Sequence, residues 1–165
     1  MARILQHFPT DIVLTGTDYN PEAVAWVGRE FPNLHIIQNQ LMPPWDIPPA
    51  SQSVIYAVSI FTHLGEAAQN AWVAEIATAL KPGGLFIFTV HGNPSPGRLL
   101  PAEQARFDAG QPVYRSRVKE GSRLFAAYNP AAAIKEVFST DFDIAAGPLD
   151  EMGQTLWVMR KKAQE

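Results

Sequence analysis

The sequence predicts an α/β domain built on a mostly parallel sheet. Short apolar runs alternate with helix-patterned stretches along nearly the whole chain, and polar side chains follow the apolar runs directly, where an open parallel sheet presents its loops. Size agrees: 165 residues, 47% of them apolar, suffice for one core and leave no room for two large domains. Residues 1–165 therefore read as a single domain.

Arg3 to Phe8 reads as the tail of a helix closed by Pro9, and Ile12 to Thr17 as a buried strand. Asp18-Tyr19-Asn20-Pro21-Glu22 turns the chain into a helix reaching about Glu30: Asn20 caps it, Pro21 suits its first turn, and Glu22 meets the positive end of its dipole. Val24 and Val27 should face inward. Leu34 to Gln38 is a second strand. Met42 to Pro49 holds four prolines and cannot be regular structure. Val54 to Ser59 is a third strand, and Ala67 to Leu80 a helix with Trp72, Ile76 and Leu80 at four-residue spacing. Pro82-Gly83-Gly84 should turn the chain into strand Leu85 to Val90.

From Asn93 to Tyr128 the rhythm changes. A short helix, Ala102 to Ala109, leads to a hairpin of Val113 to Val118 and Ser122 to Ala127 around Lys119-Glu120-Gly121. Pro130 to Phe138 reads as a last helix. Phe142 to Ala146 and Thr155 to Met159 read as the final strands, joined through a turn at Gly147-Pro148.

Composition narrows the function. Thirteen Lys and Arg against sixteen Asp and Glu give a net charge of −3, which argues against broad electrostatic capture of nucleic acid. Zero cysteines leave no disulfide framework, thiolate nucleophile, zinc finger or iron–sulfur cluster. No apolar run approaches the roughly 18 residues of a membrane helix, and Met1 to Gln6 lacks a signal-peptide stretch, so the cytoplasm is the expected compartment. His7, His35, His63 and His91 are too dispersed along the chain to suggest a metal site.

Four strand ends carry polar groups. Asp18 follows the first strand, where one carboxylate can accept from both hydroxyls of a ribose diol; its plainer role is to form the turn. Gln38, Asn39 and Gln40 follow the second, suited to a base edge or to ordinary loop hydrogen bonds. Ser59, with Thr62 and His63, ends the third, and His91-Gly92-Asn93 ends the fourth. His63 and His91 are candidates for a general base, against the commoner role of a loop-stabilising histidine. Arg123 and Tyr128 flank the hairpin and could hold a substrate, or be simply an exposed cation and a half-buried aromatic. There is no phosphate-binding loop ending in Lys-Ser/Thr, no dinucleotide glycine fingerprint and no nucleophile elbow.

Thr15-Gly16-Thr17-Asp18-Tyr19-Asn20-Pro21-Glu22-Ala23-Val24, Ser59-Ile60-Phe61-Thr62-His63-Leu64 and Leu80-Lys81-Pro82-Gly83-Gly84 follow one another in an order and spacing that resemble the class I S-adenosylmethionine-dependent methyltransferases. The resemblance implies a Rossmann-like sheet with helices on both faces and residues 93–128 as a substrate-side insertion. It assigns Asp18 to the cofactor ribose with Tyr19 beside it, Asn39 or Gln40 to the adenine, and Ser59, Ile60 and Phe61 to the methionine end. No metal is expected. The family's first strand and glycine-rich motif belong upstream of the helix at Met1–Leu5, so the sheet should lack that central strand. The strands ending at Asp18 and Ser59 should then pair directly, or a second chain should cover them. The expected function is methyl transfer to a small molecule, impaired in the isolated chain. The alternative is a non-catalytic, homo-oligomeric interaction module. A nicotinamide-binding fragment fits less, because it does not explain the Leu80-Lys81-Pro82-Gly83-Gly84 helix end.

Overall fold

The computed structural model describes residues 12–115, 117–151 and 153–163. The chain divides into two compact units, one ending at Asp46 and one beginning at Ile47. The helix expected at Arg3 to Phe8 lies outside the described residues.

The first unit is a β-α-β element. Strand β1 (Thr15–Asp18) pairs in parallel with β2 (His35–Gln38), Asp18 opposite Gln38. Helix α1 (Pro21–Glu30) connects them, with the bounds its caps predict: the Asn20 side chain accepts from Glu22 N at 2.9 Å, and Pro21 occupies the first turn. Val24 and Val27 are half-buried. Gly16 passes close to Ile36, whose Cδ1 would lie 3.1 Å from a Cβ there. The first strand is shorter than expected, because Ile12 and Val13 are exposed and outside the ladder.

The second unit is built on a four-stranded sheet in the order β3-β4-β8-β7. Strand β3 (Gln52–Ala57) runs parallel to β4 (Leu80–Val90); β8 (Gln154–Lys161) is antiparallel to β4 and to β7 (Phe142–Glu151). Successive side chains on a strand point to opposite faces. Phe86 and Phe88 of β4 share one face with Trp157 and Met159 of β8, each 1% exposed or less. Helices α2 (Glu66–Ala79) and, later in the chain, α4 (Ala131–Phe138) bury Trp72, Val73, Ile76, Ile134 and Phe138. The core is largely aromatic: Phe86 stacks on Phe88 at 4.8 Å, Phe88 on Phe138 at 4.8 Å, and Phe61 joins both β4 rings. Such pairs contribute about 0.5–1.5 kcal/mol beyond the area they bury. Between β4 and α4 lie helix α3 (Pro101–Asp108) and the pair β5 (Val113–Arg115) and β6 (Ala126–Tyr128).

Several expectations need correction. Pro82-Gly83-Gly84 is not a plain turn. Gln52 pairs with Leu80 and Val54 with Leu85, so these residues bulge out of β4 while its ladder continues. A Cβ on Gly84 would sit 2.9 Å from Lys81 O and 3.1 Å from Ser53 O. Gly147-Pro148 lies inside β7 at a register shift, and the strands reverse between Glu151 and Gln154. Gly147 has φ +104, and Leu156 O would be 2.7 Å from its Cβ. The hairpin is shorter than expected, with Val113 opposite Tyr128. Its supposed turn is drawn off by tertiary bonds: Glu120 accepts from Gly65 N, and Gly121 N donates to His63 O.

Candidate functional site

In the first unit, the parallel pairing of β1 and β2 brings both carboxyl ends to one rim. Asn39 N donates to Asp18 O at 3.1 Å, and Gln38 Nε2 to Tyr19 O at 3.5 Å, so Asp18, Tyr19, Asn39 and Gln40 gather there. Asp18 Oδ1 accepts from Asn20 N at 2.9 Å, an Asx turn that fixes the carboxylate. Asn39 Nδ2 donates to Gln40 O at 2.6 Å, while Oδ1 is buried with no partner. A buried acceptor left unpaired costs about 1–3 kcal/mol, so this rim calls for a donor.

In the second unit, Ser59 lies just past β3 in the left-handed region, φ +59, which costs a non-glycine residue about 1–2 kcal/mol. Three hydrogen bonds hold it in a closed circuit. Ser59 N donates to Thr89 Oγ1 at 2.8 Å, Thr89 Oγ1 donates to Gln154 Oε1 at 2.5 Å, and Gln154 Nε2 donates to Ser59 Oγ at 2.6 Å. Because Ser59 Oγ accepts within the circuit, its own proton stays available. Ile60 is 52% exposed. Phe61 departs from the expectation: at 2% exposure its ring packs against Phe86 and Phe88, so it braces the loop instead of offering a surface.

The two candidate histidines meet at the end of β4. His63 Nδ1 lies 2.8 Å from Phe125 O; a carbonyl only accepts, so Nδ1 carries the proton and Nε2 is left to act. The half-buried His91 is held below the usual histidine pKa by burial first, then by the charges of His63 and Arg98, so its imidazole is neutral at pH 7. Its ring lies 5.3 Å from that of Tyr128.

Tyr128 is 1% exposed and anchors the insertion. Its hydroxyl accepts from Arg98 Nε at 3.0 Å, and the Arg115 guanidinium sits 5.5 Å from its ring centre. Arg115 grips Glu103 with two hydrogen bonds, 3.1 and 2.6 Å, and donates to Arg98 O at 2.8 Å. The hydrogen bond from Arg115 holds the Glu103 carboxyl below the ordinary glutamate range. Of the expected substrate-side pair, only Tyr128 joins this cluster; Arg123 is exposed in a turn. Thr89, Arg98, Arg115 and Gln154 are participants that the sequence pattern does not mark. Among the described residues no group of three His, Asp or Glu side chains could hold a metal, and no helix is long and apolar enough to cross a membrane.

A family model for the methyltransferase domain matches residues 1–84. No curated protein sequence matches. A Methanosarcina mazei S-adenosylmethionine-dependent methyltransferase superposes with TM-score 0.67 at 13% identity, covering 91% of this chain and 82% of its own. The Burkholderia thailandensis 1,6-didemethyltoxoflavin-N1-methyltransferase, solved with its substrate and S-adenosylhomocysteine, gives 0.59 at 15%, covering 98% and 65%. The N-methyltransferase NodS from Bradyrhizobium japonicum, with S-adenosylhomocysteine, gives 0.56 at 11%, covering 90% and 66%.

Proposed function

The chain belongs to the class I S-adenosylmethionine-dependent methyltransferase family, and from that premise we propose that it binds S-adenosylmethionine and methylates a hydroxyl or amine on a small molecule. The observation that carries this reading is the unpaired acceptor Asn39 Oδ1, on the residue whose backbone N–H donates to the Asp18 carbonyl. An adenosine offers what that rim lacks: an exocyclic amine to donate to Asn39 and a diol to donate to Asp18. When bound, the cofactor supplies an electrophilic methyl carbon on a sulfonium centre.

The rest falls to the chain's own side chains. His91, neutral at pH 7, holds a lone pair that can take the proton an O–H or N–H acceptor releases as it is methylated. Tyr128, fixed by Arg98 and lying beside the His91 ring, is a positioning residue for that base. Thermal unfolding tests the reading. S-adenosylhomocysteine at a hundredfold excess over its Kd should stabilise the protein by about 2.7 kcal/mol, and an analogue with inosine in place of adenosine should stabilise it far less. No shift with either ligand would end the proposal.

One observation favours the second reading, an oligomeric module. The edge strand β3 exposes Val54 and Tyr56, with Val58 following on the same alternation, at 50%, 37% and 43%. Sedimentation velocity decides it: a stable monomer at micromolar concentration excludes this alternative.

A further inference from the structure

On β8, Gln154 points toward Ser59, so by strand alternation Thr155 and Trp157 project to the other face of the sheet. There a cavity of 240 Å³ opens, lined in part by Gly92, Asn93, Asn129, Asp150, Thr155 and Trp157. Asn129 and Trp157 are 2% and 1% exposed, and Asn129 Nδ2 and Trp157 Nε1 are both buried without a hydrogen-bond partner. Two orphaned donors on residues that line one cavity call for an acceptor, since each costs about 1–3 kcal/mol unmet. Asp150 contributes the opposite chemistry. Its Oδ2 accepts from Asn93 Nδ2 at 3.0 Å and its Oδ1 from Thr155 Oγ1 at 3.3 Å, which holds the carboxylate in place with lone pairs to spare. Asp150 is exposed, so a ligand can reach this side from solvent. Gly92 completes the wall: a Cβ there would lie 2.6 Å from Thr155 Oγ1. The volume is several times the roughly 30 Å³ that one water occupies.

We infer that this cavity is a binding site for the carboxamide group of a small neutral molecule. The ligand carbonyl accepts from Asn129 Nδ2 and Trp157 Nε1, and its N–H donates to Asp150. A carboxylate of the same shape is rejected, because it has no donor for Asp150 and repels it.

Acetamide and acetate, nearly isosteric, are the probes, and the four tryptophan indole N–H signals of the 165-residue chain are the readout. Loss of one signal in Trp157→Phe assigns Trp157. Acetamide should shift that signal saturably and leave the other three in place, with acetate at least about tenfold weaker because of like-charge repulsion. Asn129→Asp should abolish the shift. If that variant unfolds, Asp150→Asn serves instead and should bring acetate to within about threefold of acetamide by removing the charge. A Trp157 signal that does not move, or drifts linearly with the other indoles, would mean a cavity holding water alone and would overturn the proposal. So would acetate binding as well as acetamide to the unmodified protein. None of these outcomes depends on S-adenosylmethionine.

Discussion

Replacing Thr89 by Val keeps the side chain's shape and removes one oxygen from the Ser59 circuit. Thr89 is 6% exposed, so solvent does not readily make good the loss. Its hydroxyl serves two bonds, accepting from Ser59 N at 2.8 Å and donating to Gln154 Oε1 at 2.5 Å. At a net 0.5–1.5 kcal/mol each, their removal should cost about 1–3 kcal/mol, with the upper half expected because both former partners are left wanting. Part of that cost is recovered if Ser59, no longer held at φ +59, relaxes out of a conformation worth about 1–2 kcal/mol of strain. The expected net loss is about 2 kcal/mol. Urea unfolding followed by tryptophan fluorescence measures it, with Trp72 and Trp157 both buried reporters in the same unit. A double-mutant cycle with Gln154→Leu should show about 1 kcal/mol or more of coupling, because the two residues share one circuit. Thr89→Val within about 0.5 kcal/mol of the parent, or strict additivity with Gln154→Leu, would refute the claim that this circuit holds Ser59.

Gly84→Ala should destabilise by about 1–3 kcal/mol in the same assay, since the new methyl meets the fixed carbonyls of Lys81 and Ser53. Arg115→Lys should cost less than about 1 kcal/mol despite the paired geometry, because both partners remain partly exposed at 35% and 21%. His91 links stability to pH: its folded pKa is lowered from 6.5, so the unfolded chain binds the proton more readily. That contribution is complete above pH 6.5 and declines as pH falls toward the lowered native value. His91→Gln should remove this part of a urea-midpoint profile, and an unchanged slope would contradict the assignment.

What could be read from the sequence was what local chemistry decides. Asn20, Pro21 and Glu22 mark the start of α1, and the four-residue spacing of Trp72 and Ile76 marks the buried side of α2. The Asp18 and Asn39 rim follows the same local logic, since Asp18 closes β1 and Asn39 directly follows β2. Tertiary bonds decided the rest. Lys119-Glu120-Gly121 has turn composition, yet Glu120 is claimed by Gly65 and Gly121 by His63. Gly147-Pro148 reads as a turn, but glycine is needed there for the close approach of Leu156 O within β7. Arg98 sits in a loop with no local pattern, and only the fold shows that it, and not Arg123, reaches Tyr128. Thr89 looks like one more residue of an apolar strand until Ser59 and Gln154 arrive from other strand ends. Phe61 was placed by its motif in a surface that its ring does not reach.

The account rests on a nucleoside being held at the rim where β1 and β2 end, with Asp18 accepting from its ribose. Calorimetric titration of the 165-residue chain with S-adenosylhomocysteine tests this most directly. The predicted result is a saturable one-to-one heat, weakened about tenfold or more by Asp18→Asn, since hydrogen bonds to a charged acceptor contribute about 1.5–3 kcal/mol. No heat at millimolar ligand, or an Asp18→Asn variant that titrates like its parent, would contradict it.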